Sequence, residues 1–149
     1  MPDMTDAPLE DLYREVILDH YRSPRNRGRL EGAGVSDIEL QNPTCGDEIR
    51  LSLALRDGRI DQVRFEGRGC SISMASASML TEALRGKTPA EAVALSRAFK
   101  GMLGGQAPAS ELGDLEALSG VAQFPVRVKC ATLAWNALLQ ALGQPHADS

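Results

Sequence analysis

The sequence predicts an α+β domain: a three-stranded antiparallel sheet with helices packed on one face. Two observations predict it. Strand-like alternation is confined to residues 37–67, and helical spacing fills the chain from residue 71 onward. A run of strands followed by a run of helices is the pattern of a sheet covered on one side. One helix precedes the strands. The chain has 149 residues, a length that suits one domain with one core. Residues 1–149 are therefore read as a single domain, with flexible ends at about 1–8 and 144–149.

The elements follow in order. Leu9, Leu12, Tyr13, Val16, Ile17 and His20 recur at helical spacing, with Asp6 placed to cap, Pro8 in the first turn and Ser23-Pro24 as the stop. A basic loop, Arg22 to Arg29, reads as a solvated turn or as a docking surface for an acidic partner. Asp37 to Gln41 alternates weakly. Ile49, Leu51, Leu53 and Leu55 alternate with polar or small residues, and Asp57-Gly58 is a hairpin signal before Ile60, Val63 and Phe65. Ser71 to Leu84 is a helix rich in small residues that stops at Gly86. Thr88-Pro89-Ala90-Glu91 is a capping-box signature for a helix reaching about Phe99. The Gly-, Ala- and Pro-rich stretch Lys100 to Ser110 reads as a loop, and Asp114 to Leu118 as a short helix. Pro125 opens a last helix that stops at Gly143.

Composition narrows the function. Net charge is −4 and the isoelectric point about 5.2, whereas nucleic-acid binding calls for a basic face. Aromatic residues make up 4%, too few for a base-stacking platform. No apolar run nears the roughly 20 residues that span a membrane, and the acidic first residues do not resemble a signal peptide. The expectation is a cytoplasmic protein with neither nucleic-acid nor membrane partners.

The chemistry points to cysteine. There are three, Cys45, Cys70 and Cys130, and no Cys-x-x-Cys pair, which excludes zinc-ribbon and thioredoxin-like patterns. Cys45 lies in the turn entering the second strand, Cys70 at a strand–helix junction, and Cys130 near the last helix start beside Arg127 and Lys129. Helix N-termini and neighbouring cations favour the thiolate, the form that binds metals and attacks sulfur. Asp47 follows Cys45 by two, so in extended chain both side chains point the same way. Three thiolates and a carboxylate are enough for closed tetrahedral zinc, with a formal site charge of about −2. Arg68, Arg127 and Lys129 are candidates to offset it. The competing reading makes the cysteines core filler, Asp47 a turn residue and the cations a solvated helix start.

Several long words, in order, resemble the SufU branch of the U-type iron–sulfur assembly proteins, the SufU/IscU/NifU N-terminal domain family. They are His20-Tyr21-Arg22-Ser23-Pro24-Arg25-Asn26, Asn42-Pro43-Thr44-Cys45-Gly46-Asp47, the stretch from Gly69 to Met79, Leu112-Gly113-Asp114-Leu115-Glu116-Ala117-Leu118, and the stretch from Arg127 to Trp135. The resemblance implies the SufE/IscU-like fold and the metal ligands Cys45, Asp47, Cys70 and Cys130. It departs from the IscU scaffold branch at three points. Lys129 stands where that branch has histidine. Phe124 to Lys129 does not match its Leu-Pro-Pro-Val-Lys segment. Finally, 60 residues separate Cys70 from Cys130, a longer insertion like that of SufU.

The resemblance implies a zinc-dependent sulfurtransferase that accepts persulfide sulfur from a SufS-type cysteine desulfurase, with Cys45 as the catalytic acceptor. It would pass sulfur toward downstream iron–sulfur scaffold proteins. Two alternatives stay open: a scaffold that builds a [2Fe–2S] cluster, or holds iron, on the same four residues, and a structural zinc module acting as an adaptor. Asp47, the harder donor in a soft site, is expected to be the looser ligand.

Overall fold

In the computed structural model the described residues are 6–32, 34–42 and 46–143, with side chains described from residue 13 onward. Cys45, both expected flexible ends apart from the backbone of residues 6–8, and the side chains of Asp6, Pro8, Leu9 and Leu12 lie outside that description. The order is α1 (Asp6–Arg22), β1 (Val35–Asn42), β2 (Asp47–Arg56), β3 (Arg59–Arg68), α2 (Ser71–Leu84), α3 (Pro89–Leu103), a 3₁₀ segment (Ser110–Gln123) and α4 (Pro125–Ala141).

The sheet is a meander in the order β1-β2-β3, antiparallel throughout. Asp57 and Gly58 both take positive φ, 54° and 75°, the conformation a tight primed hairpin turn requires. Ile49, Leu51, Leu53, Ile60, Val63 and Phe65 are buried on one face. Leu55 departs from the expected alternation: the register shifts between Ala54 and Leu55, and Leu55 is 48% exposed. The other sheet face is charged. Arg50 grips Asp37 through two nitrogens, at 2.9 and 2.8 Å, and its hydrogen bonds hold the Asp37 carboxyl below the usual carboxylate range.

The basic loop is partly neutralised within the chain. Arg25 pairs with Asp19 at 2.5 Å, and Arg29 lies 3.7 Å from Glu66. Asn26 accepts from the Phe65 amide, and Gly28 donates to the Phe65 carbonyl, so the loop adds a parallel bridge at the edge of β3. That covers backbone which would otherwise be an open edge.

On the apolar sheet face, α4 crosses β1 and β2 while α2 lies against β3. α1 and the 3₁₀ segment pack outside α2, and α3 packs on the 3₁₀ segment and α4. Because its side chains are small, α2 is enclosed by these neighbours: Ala75, Ser76, Ala77, Ser78, Leu80 and Thr81 are all fully buried. Trp135 of α4 stacks on Phe99 of α3, ring centroids 4.7 Å apart, and donates from Nε1 to Ser76 Oγ.

The α3 capping box forms as expected, with Thr88 and Glu91 each accepting from the other's amide. The helix runs on to Leu103, into the stretch expected to be loop. Met102 and Leu103 are buried in the core, and that packing outweighs the low helix propensity of Gly101. The short helix expected at Asp114–Leu118 is part of a longer series of 3₁₀ turns, kinked at Gly113, where φ is 53°.

Candidate metal centre

Three of the four expected ligands converge. The donor atoms of Asp47, Cys70 and Cys130 lie within 4.8 Å of one another, although residues 47 and 130 are far apart in the chain. Each arrives on a different element. Asp47 is the first residue of β2 and is 1% exposed. Cys70 is the N-cap of α2, held in extended backbone with φ −71° and ψ 169°, and its side chain is exposed. Cys130 is buried in the second turn of α4.

Two residues to which the sequence reading gave no role build the pocket. Cys70's own amide donates to Asp47 Oδ1 at 3.0 Å, leaving Oδ2 3.8 Å from Cys70 Sγ. The carboxylate can come so close because residue 69 is glycine: a Cβ there would stand 2.4 Å from Asp47 Oδ1 and 2.5 Å from Ser73 Oγ. Ser73 Oγ lies 3.7 Å from Cys70 Sγ and donates to the Cys70 carbonyl, closing the first turn of α2. Gly67 has a similar role one step earlier, where a Cβ would meet the Glu48 carbonyl at 2.1 Å. The signal was the Gly-x-Gly spacing before Cys70. Its meaning is that the approach of β3 to β2 leaves no room for side chains.

Several expectations change. Asp47, expected to be the looser ligand, is buried and accepts from the Cys70 amide, while Cys70 faces solvent. Cys130 lies near the start of α4 as expected, but in its second turn, since Pro125 opens the helix five residues earlier. Gly46 has φ +74°, so the chain is not extended between Cys45 and Asp47, and simple alternation does not hold across it. Arg68 lies 3.3 Å from Glu48, and the Arg127 guanidinium lies over the Phe124 ring at 5.3 Å.

The donor set suits a soft divalent metal. Two sulfurs and one carboxylate oxygen are gathered at one end of the sheet. A Cys₃Asp set would close a tetrahedral zinc site.

A second polar cluster lies farther along α2. His20, 4% exposed, places Nδ1 2.7 Å from Ser78 Oγ, which also accepts from the Arg25 amide. Burial, then the nearby Arg25, lowers the His20 pKa, against weaker opposition from Glu82, Asp19 and Asp114. This is what the His20-to-Asn26 word does: it docks α1 and its loop on Ser78 and Thr81.

A three-stranded sheet roofed by helices, with cysteines and an aspartate gathered at one end, defines a class of small metal-binding α+β domains. The comparisons narrow it. Residues 12–144 match the model of the NifU-like N terminal domain, and the chain belongs to that family. It is 50% identical over 146 residues to the zinc-dependent sulfurtransferase SufU of Bacillus subtilis (strain 168), covering 97% of this chain and 98% of that one. It is 48% identical over 141 residues to the iron–sulfur cluster assembly scaffold protein IscU of Streptococcus pyogenes serotype M1, covering 93% and 87%. Among solved structures, a scaffold candidate for the SUF system from Fervidobacterium islandicum AW-1 superposes with a TM-score of 0.81. The two are 35% identical, over 86% of this chain and 94% of that one. No helix among the described residues is long and apolar enough to cross a membrane.

Proposed function

We propose that this chain is a zinc-dependent sulfurtransferase of the cytoplasm that takes persulfide sulfur from a SufS-type cysteine desulfurase for iron–sulfur cluster assembly. The observation that carries the reading is the convergence of Asp47, Cys70 and Cys130 to within 4.8 Å. Its agreement with the full-length likeness to a SufU supports it. Cys45, Asp47, Cys70 and Cys130 would hold the metal. Zinc, when bound, keeps the cysteines as thiolates and does not itself change oxidation state.

Cys45 is the acceptor. Its thiolate attacks the outer sulfur of the desulfurase persulfide. A new S–S bond forms at Cys45, the old one breaks, and the donor cysteine leaves as thiolate. One sulfur moves and no electrons are gained or lost overall. The other residues keep the arrangement. Asp47 and Cys70 are tied together through the α2 amide, and Cys130 is fixed in a packed helix.

The scaffold reading draws on the same residues and on the likeness to a streptococcal IscU. Metal analysis of protein purified without added metal separates the two: one zinc per chain and no visible absorption is expected, while a brown protein holding iron and sulfide would favour the scaffold. Chelation should lower the melting temperature, because site formation and folding are coupled. An unchanged transition after verified metal removal would argue against a shared site. Stimulation of the desulfurase then distinguishes a sulfurtransferase from a structural zinc module.

A further inference from the structure

Beside the metal centre runs a groove that the chemistry above does not use. It has a volume of about 560 Å³ and lies between α1, the start of α2, the end of the 3₁₀ segment and the first turn of α4. Ile17, Leu18, Ile72, Val121 and Phe124 form its walls. At one end it includes Ser71, the residue after Cys70. At the start of α4, the N-cap residue Phe124 is 51% and Val126 53% exposed. Large apolar side chains held in water next to a reactive site mark a surface built to be covered.

Among the described residues, the charged side chains lining this groove have one sign. They are Arg14 and Arg127, both exposed, in a chain whose net charge is −4. Glu116 accepts the Tyr13 hydroxyl and helps raise that phenol's pKa, after burial. Apolar walls with two arginines at the rim fit a segment that carries an apolar side chain flanked by carboxylates. Because the groove reaches Ser71, the residue after Cys70, a segment lying in it would end beside the cluster of Asp47, Cys70 and Cys130.

We propose that this groove is the docking surface for the cysteine desulfurase, which would insert such an acidic, apolar segment along it. The proposal rests on the sulfurtransferase reading and adds to it the chemistry of the contact. Docking is then separable from sulfur acceptance. The groove sets how much protein is needed to occupy the desulfurase, and Cys45 sets what happens once it is occupied.

The test titrates the zinc-loaded full chain into a SufS-type desulfurase with cysteine and follows sulfide release. Arg14→Glu combined with Phe124→Ser alters two exposed side chains and should fold with normal zinc content. It should raise the half-saturating concentration at least tenfold while the rate at saturation stays within twofold. Arg14→Lys, which keeps the charge, should behave like the unaltered chain. Rising salt should weaken the unaltered chain and barely affect the double variant. An unchanged half-saturating concentration in the double variant would overturn the groove assignment alone. So would tighter binding after deletion of residues 1–5, or a stable dimer that the double variant abolishes, because another segment or copy would then fill the groove. Failure of the unaltered chain to stimulate at any concentration would overturn the sulfurtransferase reading along with it.

Discussion

Along α2, Cys70 and Ser73 at the start of the helix meet Asp47 and Cys130, while Ser76, Ser78 and Thr81 in its middle meet Trp135, His20 and Asn26. The residue types are alike: small, polar and close-packed. Their surroundings are not. The middle is sealed, with Ser76, Ser78 and Thr81 fully buried and satisfied by partners on α1, its loop and α4. The start is open, with Cys70 exposed. One helix thus serves as a fixed wall over most of its length and presents a reactive edge at one end. The comparison teaches that burial and satisfied hydrogen bonds, more than residue type, separate architecture from chemistry here.

The largest effect should come at the reactive end. Cys45→Ser is expected to abolish desulfurase stimulation, a loss of about 100-fold or more, while the circular dichroism spectrum and some zinc remain. Mass spectrometry after incubation with desulfurase and cysteine should place the added sulfur on Cys45. Sulfur on Cys130, with Cys45→Ser still active, would move the acceptor role to α4. Next comes Gly69→Ala, whose methyl would stand 2.4 Å from Asp47 Oδ1. Displacing that carboxylate should weaken zinc binding by about 10- to 100-fold in a chelator competition. Wild-type affinity would mean that Asp47 does not need its tie to the α2 amide.

The sealed middle should answer in stability and not in zinc. Ser76→Ala removes the acceptor of the Trp135 indole and the donor to the Ala131 carbonyl, both buried. It should cost about 2 kcal/mol in denaturant unfolding with the zinc content unchanged. Loss of metal in this variant would show that the two ends are coupled through α4. The smallest effect concerns His20. Its folded pKa lies below the unfolded value of about 6.5, so the unfolded chain protonates first as pH falls. Stability from the neutral imidazole is full above about pH 6.5, declines as pH falls toward the folded value, and then levels off. Replacing it by Gln should flatten that part of the stability profile. A profile that stays as steep would assign it to other groups.

Much of this was legible in the sequence because it depends on local geometry. Asp57-Gly58, the Thr88–Glu91 box and the small-residue helix each carry their own backbone signal, and among the described residues three strands and four α-helices appear where spacing puts them. The family resemblance supplied a candidate ligand set, of which Asp47, Cys70 and Cys130 converge, but not its mechanics. That Asp47 is held and Cys70 open depends on β2 meeting the start of α2, a contact across 23 residues that no local pattern encodes. The extension of α3 through Gly101 and the turning out of Leu55 have the same origin: packing and a register shift override what neighbours in sequence prefer.

The separation of the ligands along the chain also has a consequence in time. Asp47 and Cys70 leave the ribosome early, whereas Cys130 follows by 60 residues and reaches them only after α4 has packed across β1 and β2. At synthesis rates of about 5–20 residues per second, a nascent chain spends seconds with Cys45, Asp47 and Cys70 already made and Cys130 still missing. Firm metal capture therefore waits for the final packing step, and a chain that stalls or misplaces α4 is left without it. Metal content becomes a record of completed folding.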